Sequence, residues 1–113
     1  MRRFQGTTTM AYLTKDALAA IGFKALGEEV KISDRAAIYN PETISIGSNV
    51  RIDDFCVLSG KIHFGSHCHI AVFCNIAGGS EGVYFEDFSG LAYGCHVFSQ
   101  SDDYSGHSMA GPV

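Results

Sequence analysis

A six-residue repeat runs through the middle of the chain. Written in sixes, residues 46–81 give IGSNVR, IDDFCV, LSGKIH, FGSHCH, IAVFCN and IAGGSE without a break. An aliphatic or aromatic residue opens every unit, and a small or apolar residue stands at the fifth position of most units. After a short insertion around residues 79–82, the frame resumes at Phe85, Leu91 and Val97. Such a repeat has to be identified first, because it determines the whole fold.

A longer period is built on the repeat. Ile46 and Phe64 are 18 residues apart, which is three sixes, and Phe64 and Phe85 are 21 apart, which is three sixes plus three residues. A six-residue unit supplies a short strand and a turn, so three units close a triangular coil whose apolar opening residues point to its axis. Stacked coils then pair as parallel strands around a continuous core. The sequence therefore predicts an all-β fold, a left-handed parallel β-helix made of hexapeptide repeats.

The four cysteines fit the same frame. Cys56, Cys68, Cys74 and Cys95 all fall at the fifth position of their units, near a corner of the triangle where small residues are favoured. No two of them form a C-x-x-C pair, which argues against a zinc ribbon. A catalytic thiol would need an exposed, electropositive setting, and the register argues against that too. We predict that they fill the core, because free cysteine behaves as a small buried hydrophobe.

The two ends of the chain differ from its middle. Residues 13–21 (LTKDALAAI) predict a short helix with Thr14 as its N-cap and Gly22 near its end, plugging one end of the solenoid. At the other end no cap is visible, so another chain, a swapped segment or the polar tail is expected to cover it. The predicted organisation is a flexible segment at 1–11, a cap with the helix at 12–29, the β-helix at 30–98, and a polar loop and tail at 99–113.

Composition narrows the choice of partners. With 12 acidic and 8 basic residues and a formal charge of −4, the chain lacks the basic surface that nucleic-acid binding requires. No apolar run approaches the length of a membrane span, and the first three residues (MRR) are not followed by the apolar core of a signal peptide. We expect no nucleic acid, no membrane span and a cytoplasmic location.

Five stretches of sequence carry a family resemblance. They are residues 21–23 (IGF), 39–42 (YNPE), 46–55 (IGSNVRIDDF), 69–71 (HIA) and 101–106 (SDDYSG). Together they resemble the hexapeptide-repeat acyltransferases, and more narrowly the sugar O- and N-acetyltransferases of bacterial surface-polysaccharide and nucleotide-sugar synthesis. The resemblance covers residues 12–113. It implies a trimer that binds acetyl-CoA as cosubstrate in a groove between subunits, and a sugar or nucleotide-sugar hydroxyl or amine as acceptor.

The same resemblance bears on the length of the chain. Enzymes of this kind commonly continue for several more coils, and those coils shape much of the coenzyme site. This chain looks like the N-terminal half of such an enzyme, truncated at its C-terminus. No coenzyme-binding residue is assigned for that reason.

Histidine is the natural general base for acyl transfer to a sugar. His63, His69 and His96 each occupy the sixth position of a unit, immediately before an inward-pointing residue, and are expected to project outward. His69 is the first candidate for catalysis, because it lies in a family-like stretch and the nearby residues 78–80 (GGS) would let a ligand approach the backbone. His96 is the second candidate, and an exposed histidine without a function is the alternative for both.

Carboxylates are the candidates for acceptor binding. In many relatives a loop at the level of residues 99–105 carries the catalytic histidine, whereas this chain has Asp102 and Asp103 there, followed by Tyr104. These residues are candidates to bind the acceptor or to orient a histidine of another chain, although paired acids in a turn are commonly just solvated. Asp53 and Asp54, at the second and third positions of their unit, are candidates of the same kind.

Two functional hypotheses follow from the sequence. The first is an acyl-CoA-dependent sugar acetyltransferase with His69 as its base. The second is a catalytically inactive, truncated scaffold that acts as a binding or assembly module. A metal site formed by histidines between subunits, as in hexapeptide-repeat carbonic anhydrases, is a weaker third hypothesis because the histidine spacing lacks that pattern, and no metal is predicted.

Overall fold

A computed structural model describes residues 11–99 of the chain. They form one helix, α1 (Lys15–Ile21), followed by twelve short strands, with a 3-10 turn at Pro41–Thr43 between the third and the fourth. The strands are β1 (Ala25–Leu26), β2 (Lys31–Ile32), β3 (Ala37–Ile38), β4 (Ile44–Ile46), β5 (Arg51–Ile52), β6 (Val57–Ser59), β7 (Ile62–Phe64), β8 (His69–Ile70), β9 (Asn75–Ala77), β10 (Val83–Phe85), β11 (Gly90–Leu91) and β12 (His96–Phe98).

The strands form three parallel sheets that the chain visits in turn. The first sheet has the order β1-β4-β7-β10, the second β11-β8-β5-β2 and the third β12-β9-β6-β3. One passage through all three sheets is one coil, so the described residues make four coils. Ile46 lies opposite Phe64, and Phe64 lies opposite Phe85, which confirms the 18- and 21-residue periods. The prediction of an all-β, left-handed parallel β-helix is therefore confirmed.

The core is the axis of the solenoid. The opening residues of successive units point inward, and in the second and third coils each is at most 2% exposed: Ile46, Ile52, Leu58, Phe64, Ile70 and Ile76. The rings of Phe64 and Phe85 stack with their centroids 5.2 Å apart. Burial of these side chains is the main stabilising contribution, at about 1.5–3 kcal/mol for each. In the last coil Leu91 and Val97 are only partly buried.

The cysteines lie where the repeat predicts them. All four are free thiols; Cys56, Cys68 and Cys74 are buried, and Cys95 in the last coil is half-buried. The Cys56 thiol donates a hydrogen bond to the carbonyl oxygen of Ala71 in the next coil (3.0 Å), and burial raises the pKa of Cys56 to about 11. These cysteines are core fillers, as predicted.

Helix α1 closes the first end of the solenoid. The hydroxyl of Thr14 accepts a hydrogen bond from the backbone N–H of Ala17 (3.1 Å), and Gly22 ends the helix in the left-handed conformation, as predicted. Leu18 is buried against the core. Just before the helix, Tyr12 pairs antiparallel with Ser33 and so covers the outer edge of β2. The first sheet already begins with β1, before residue 30 where the predicted β-helix starts.

Side chains tie the coils together at one corner. The backbone N–H of Glu28 donates to the hydroxyl of Ser48 (3.0 Å), the N–H of Ser48 to the hydroxyl of Ser66 (3.1 Å), and the N–H of Ser66 to the carboxylate of Asp87 (2.8 Å). The corner therefore carries a ladder of four residues, one from each coil. Gly47 is required beside it, because a Cβ there would lie 2.8 Å from the backbone of Gly65.

Candidate functional site

Three charged or ionisable side chains meet on the outer face of the second sheet. The Nε of Arg51 donates to Oδ1 of Asp53 (3.0 Å), and its Nη2 is 3.4 Å from Oδ2. The Nε2 of His69 lies 2.8 Å from the same Oδ2. The Asp53 side chain is only 6% exposed, whereas the side chains of Arg51 and His69 are 48% and 49% exposed. The Arg51–Asp53–His69 cluster therefore has its carboxylate inside and its two nitrogen-bearing groups at the surface.

The repeat itself assembles this cluster. Arg51 and His69 occupy the sixth position of their units, one 18-residue coil apart, and they are register partners on β5 and β8. Asp53 follows Arg51 by two residues, which puts both side chains on the same outer face of the sheet. The cluster links the second coil to the third.

Electrostatics favours an ionised carboxylate in the cluster. Burial by itself would raise the pKa of the Asp53 carboxyl, but the hydrogen bonds from Arg51 and His69 outweigh burial and hold the pKa below its usual value. The hydrogen bond to Asp53 in turn raises the pKa of the Arg51 guanidinium. The cluster thus contains a fixed ion pair with an imidazole attached to it.

The surroundings of His69 are small. Ala71 lies two residues further along the same face, and Gly90 and Ala92 occupy the corresponding positions of the next coil. Gly90 is required by the close approach of the strands, because a Cβ there would collide with the carbonyl oxygen of His69. The lack of long side chains at these positions leaves the imidazole accessible from the side of the fourth coil.

A second polar contact adjoins the cluster. The carboxylate of Asp54 accepts a hydrogen bond from the hydroxyl of Ser33, and that hydroxyl also accepts one from the backbone N–H of Arg35 (3.0 Å). Ser33 is fully buried, while Asp54 is partly exposed. Asp54 is therefore held in place with part of its carboxylate at the surface.

The other histidines lie elsewhere. His96 is exposed, as its register predicts, but it belongs to β12 in the third sheet and is not part of the cluster on the second. His63 projects from the first sheet and is 6.1 Å from the ring of Tyr84, and His67 stacks on Phe88 at a corner (4.6 Å). The structure therefore brings together His69 and Asp53 among the predicted site residues, with Asp54 next to them.

Part of the predicted site is outside the described residues. Asp102, Asp103 and Tyr104 lie in the segment 100–113, of which the structure describes nothing. Arg51 and Ser33 were not predicted as site residues. The 18-residue period would have found Arg51, since it lies one coil before His69, but no sequence pattern indicates the contact between Ser33 and Asp54.

Two classes of feature are absent from residues 11–99. No three side chains among their histidines, cysteines, aspartates and glutamates come together as metal ligands would. The one helix of this range is too short to cross a membrane.

Comparisons with known proteins find similarity to acyltransferases. No protein-family model matches the chain. It is 45% identical over 107 residues to the dTDP-4-amino-4,6-dideoxy-D-glucose acyltransferase of Escherichia coli, a match that covers 92% of this chain and 55% of the relative.

Solved structures agree with that match. One of them is AntD, an N-acyltransferase from Bacillus cereus, in complex with dTDP and 3-hydroxybutyryl-CoA. The fold superposes on it with a TM-score of 0.82 and 44% sequence identity, and the match covers 92% of this chain and 55% of AntD. A serine-to-cysteine mutant of AntD, in complex with dTDP-4-amino-4,6-dideoxyglucose and coenzyme A, superposes with a TM-score of 0.80 and 46% identity, covering 89% of this chain and 54% of that one.

The fold and the repeat define a hexapeptide-repeat β-helix. Over 92% of its length, the chain is similar in sequence and fold to acyltransferases that are named for a dTDP-amino sugar or solved with dTDP and an acyl-coenzyme A. The chain spans about half the length of the relatives that it matches.

Proposed function

We propose that the protein takes part in the transfer of an acyl group from an acyl-coenzyme A to an amine or hydroxyl group of a nucleotide sugar. The observation that carries this proposal is the similarity to two acyltransferases, one named for a dTDP-amino sugar and matched over 92% of the chain, the other solved with such a sugar bound and matched over 89%. An amine is the favoured acceptor, because AntD is an N-acyltransferase by name and the Escherichia coli relative is named for an amino sugar. We keep acetyl-CoA as the first donor to test and the cytoplasm as the compartment.

The proposed reaction needs one nucleophile and one leaving group. The acceptor nitrogen attacks the thioester carbonyl, a C–N bond forms, and the C–S bond breaks to release coenzyme A. One proton leaves the nitrogen and one is taken up by the thiolate sulfur, so a single base that accepts and returns a proton balances the reaction. His69 is the base in this proposal, because its half-exposed imidazole stands beside small residues that leave room for an acceptor.

The carboxylates have separate roles in the proposal. Asp53 is buried and already holds Arg51 and His69, which leaves it little capacity to contact the acceptor as well. Asp54 is partly exposed and remains a candidate for acceptor contact. Asp102, Asp103 and Tyr104 are retained as acceptor-binding candidates from the sequence, and His96 as the second candidate base.

A trimer is part of the proposal. The outer face of the third sheet carries Val57 and Phe98, which are 36% and 66% exposed. At the adjoining corner, Phe55 and Phe73 stack with their centroids 5.2 Å apart and are about half exposed. Apolar area of this kind at the surface is typical of an interface between subunits. We propose that this third-sheet face is the contact between copies of the chain.

The test combines binding, assembly and turnover. Acetyl-CoA binding is measured by calorimetry and the molar mass by light scattering, and acyl transfer is assayed with dTDP-amino sugars as acceptors. Saturable binding by a trimer and turnover that falls ~100-fold or more in His69→Ala would support the proposal. His63→Ala is the matched control, since His63 has the same position in its unit but lies on the first sheet. Turnover that survives His69→Ala would remove His69 from the mechanism.

A further inference from the structure

We propose that Asp53 is a positioning residue, which fixes the imidazole of His69 in the tautomer that carries its hydrogen on Nε2 and leaves Nδ1 as the proton acceptor. The tautomer follows from the cluster alone. Only the use of Nδ1 in acyl transfer rests on the proposed function.

The geometry of the cluster keeps Asp53 ionised. Both carboxylate oxygens face nitrogen atoms: Oδ1 accepts from Nε of Arg51 at 3.0 Å, and Oδ2 faces Nη2 of Arg51 at 3.4 Å and Nε2 of His69 at 2.8 Å. A guanidinium in this position stabilises the ionised carboxylate, which has no hydrogen to donate. The hydrogen of the bond between Asp53 and His69 must therefore be on Nε2.

The other ring nitrogen of His69 is a free proton acceptor. In a neutral imidazole with its hydrogen on Nε2, the lone pair is on Nδ1. Within residues 11–99, Nδ1 of His69 makes no hydrogen bond to a protein group, and the side chain is 49% exposed. Nδ1 is thus the only atom of the cluster that is both basic and free to meet an acceptor.

Asp53 also fixes the orientation of the His69 ring. Asp53 lies underneath the side chains of Arg51 and His69, and the residue as a whole is 4% exposed. Its position is set by β5 and by the ion pair with Arg51. The hydrogen bond that Nε2–H donates to this fixed carboxylate (2.8 Å) limits the rotation of the imidazole ring. Because Gly90 and Ala92 contribute no long side chains next to it, the ring is held by the bond to Asp53 rather than by packing on that side.

The direct test is NMR spectroscopy of the ligand-free protein. Long-range proton–nitrogen correlations of the imidazoles, assigned with a His69→Gln variant, report which nitrogen carries the hydrogen when the ring is neutral. We expect Nε2–H in the wild-type protein. A predominant Nδ1–H tautomer would overturn the proposal, and this result needs no variant of Asp53 to fold.

Asp53→Asn tests the role of the carboxylate. Arg51 should attract the amide oxygen, which turns the amide NH2 group toward Nε2 and forces the hydrogen of His69 onto Nδ1. The matched control is Asp34→Asn, because Asp34 is exposed and is not part of the cluster. An unchanged tautomer in Asp53→Asn would show that Asp53 does not set it.

Kinetics separates this inference from the proposed function. In an active enzyme, Asp53→Asn should lower kcat by ~100-fold or more while changing the KM for the acceptor by less than about threefold. A fall confined to KM would overturn the positioning role. If the wild-type protein transfers no acyl group, the proposed function fails, whereas the tautomer measured by NMR still decides the structural part of the inference.

Discussion

Asp53 couples the stability of the fold to pH. Its pKa is lowered in the folded protein from an ordinary value of 3.8, so the unfolded chain binds a proton first as the pH falls. The ionised Asp53 stabilises the fold at pH values above 3.8, and this stabilisation is lost as the pH drops through the lower pKa of the folded state. We expect the free energy of unfolding to decline between roughly pH 5 and pH 3, and to decline less steeply in Asp53→Asn. Urea unfolding across this range measures both slopes.

The control for the pH experiment is again Asp34→Asn. Asp34 is exposed and its side chain makes no hydrogen bond or ion pair within residues 11–99, so the slope of Asp34→Asn should equal that of the wild-type protein. Equal slopes for wild type and Asp53→Asn would contradict the lowered pKa of Asp53.

The cysteines should differ in reactivity according to the coil that holds them. Burial raises the pKa of Cys56 to about 11, so that at neutral pH its thiol is protonated as well as shielded, and Cys68 and Cys74 are equally buried. Cys95 is half-buried. Iodoacetamide should alkylate Cys95 first, and the other three only when the protein unfolds. Peptide mapping by mass spectrometry checks the order, and early labelling of Cys56 would contradict it.

The sequence predicted which face each of these residues occupies but not which atoms meet. The six-residue frame correctly gives His69 as outward and the cysteines as inward, because the position in a unit determines the direction of the side chain. It treats Asp53 only as a candidate for acceptor binding. Asp53 is buried because the side chains of Arg51 and His69 lie over it. Their positions depend on side-chain rotamers, which a repeat pattern does not specify.

The corner ladder links neighbouring strand–turn units along the solenoid. Ser66 accepts a hydrogen bond from the N–H of Ser48 in the coil before it and donates its own N–H to Asp87 in the coil after it. Ser66→Ala removes the hydroxyl and leaves the Ser48 N–H without its partner, which should cost about 1 kcal/mol of unfolding free energy. Urea unfolding measures the loss.

Ser45→Ala is the matched control for the ladder. Ser45 is on β4 in the same coil as Ser48, but its side chain makes no hydrogen bond within residues 11–99, so the change should stay within about 0.5 kcal/mol. Equal losses in the two variants would mean that the ladder does not stabilise the corner. The ladder was not predicted, because the repeat fixes small or polar residues at turns without stating that they bond from coil to coil.

The stacking of whole coils was predictable because it depends only on spacing. Opening residues 18 or 21 positions apart meet across the sheets, and the three extra residues of the longer period fall between β9 and β10, at the predicted insertion. The beginning of the solenoid was less predictable. β1 lacks the two aliphatic residues of a regular strand start, and the pairing of Tyr12 with Ser33 is a contact between segments that share no pattern.

The coils should differ in their resistance to opening. Strands β7, β8 and β9 of the third coil have a hydrogen-bonded neighbour on both sides, whereas within residues 11–99 β10, β11 and β12 of the fourth coil have a neighbour on one side only. Backbone amides that depend on a single neighbouring strand open at lower free energy than those in the interior of a stack. Hydrogen exchange followed by mass spectrometry should therefore find the third coil protected longer than the fourth. Equal protection in the two coils would mean that another segment or another chain pairs with the fourth coil. Val57→Glu, which should disrupt a trimer formed through the third-sheet face, would then distinguish the two. Loss of a partner chain would expose the fourth coil, whereas a segment of the same chain would go on protecting it.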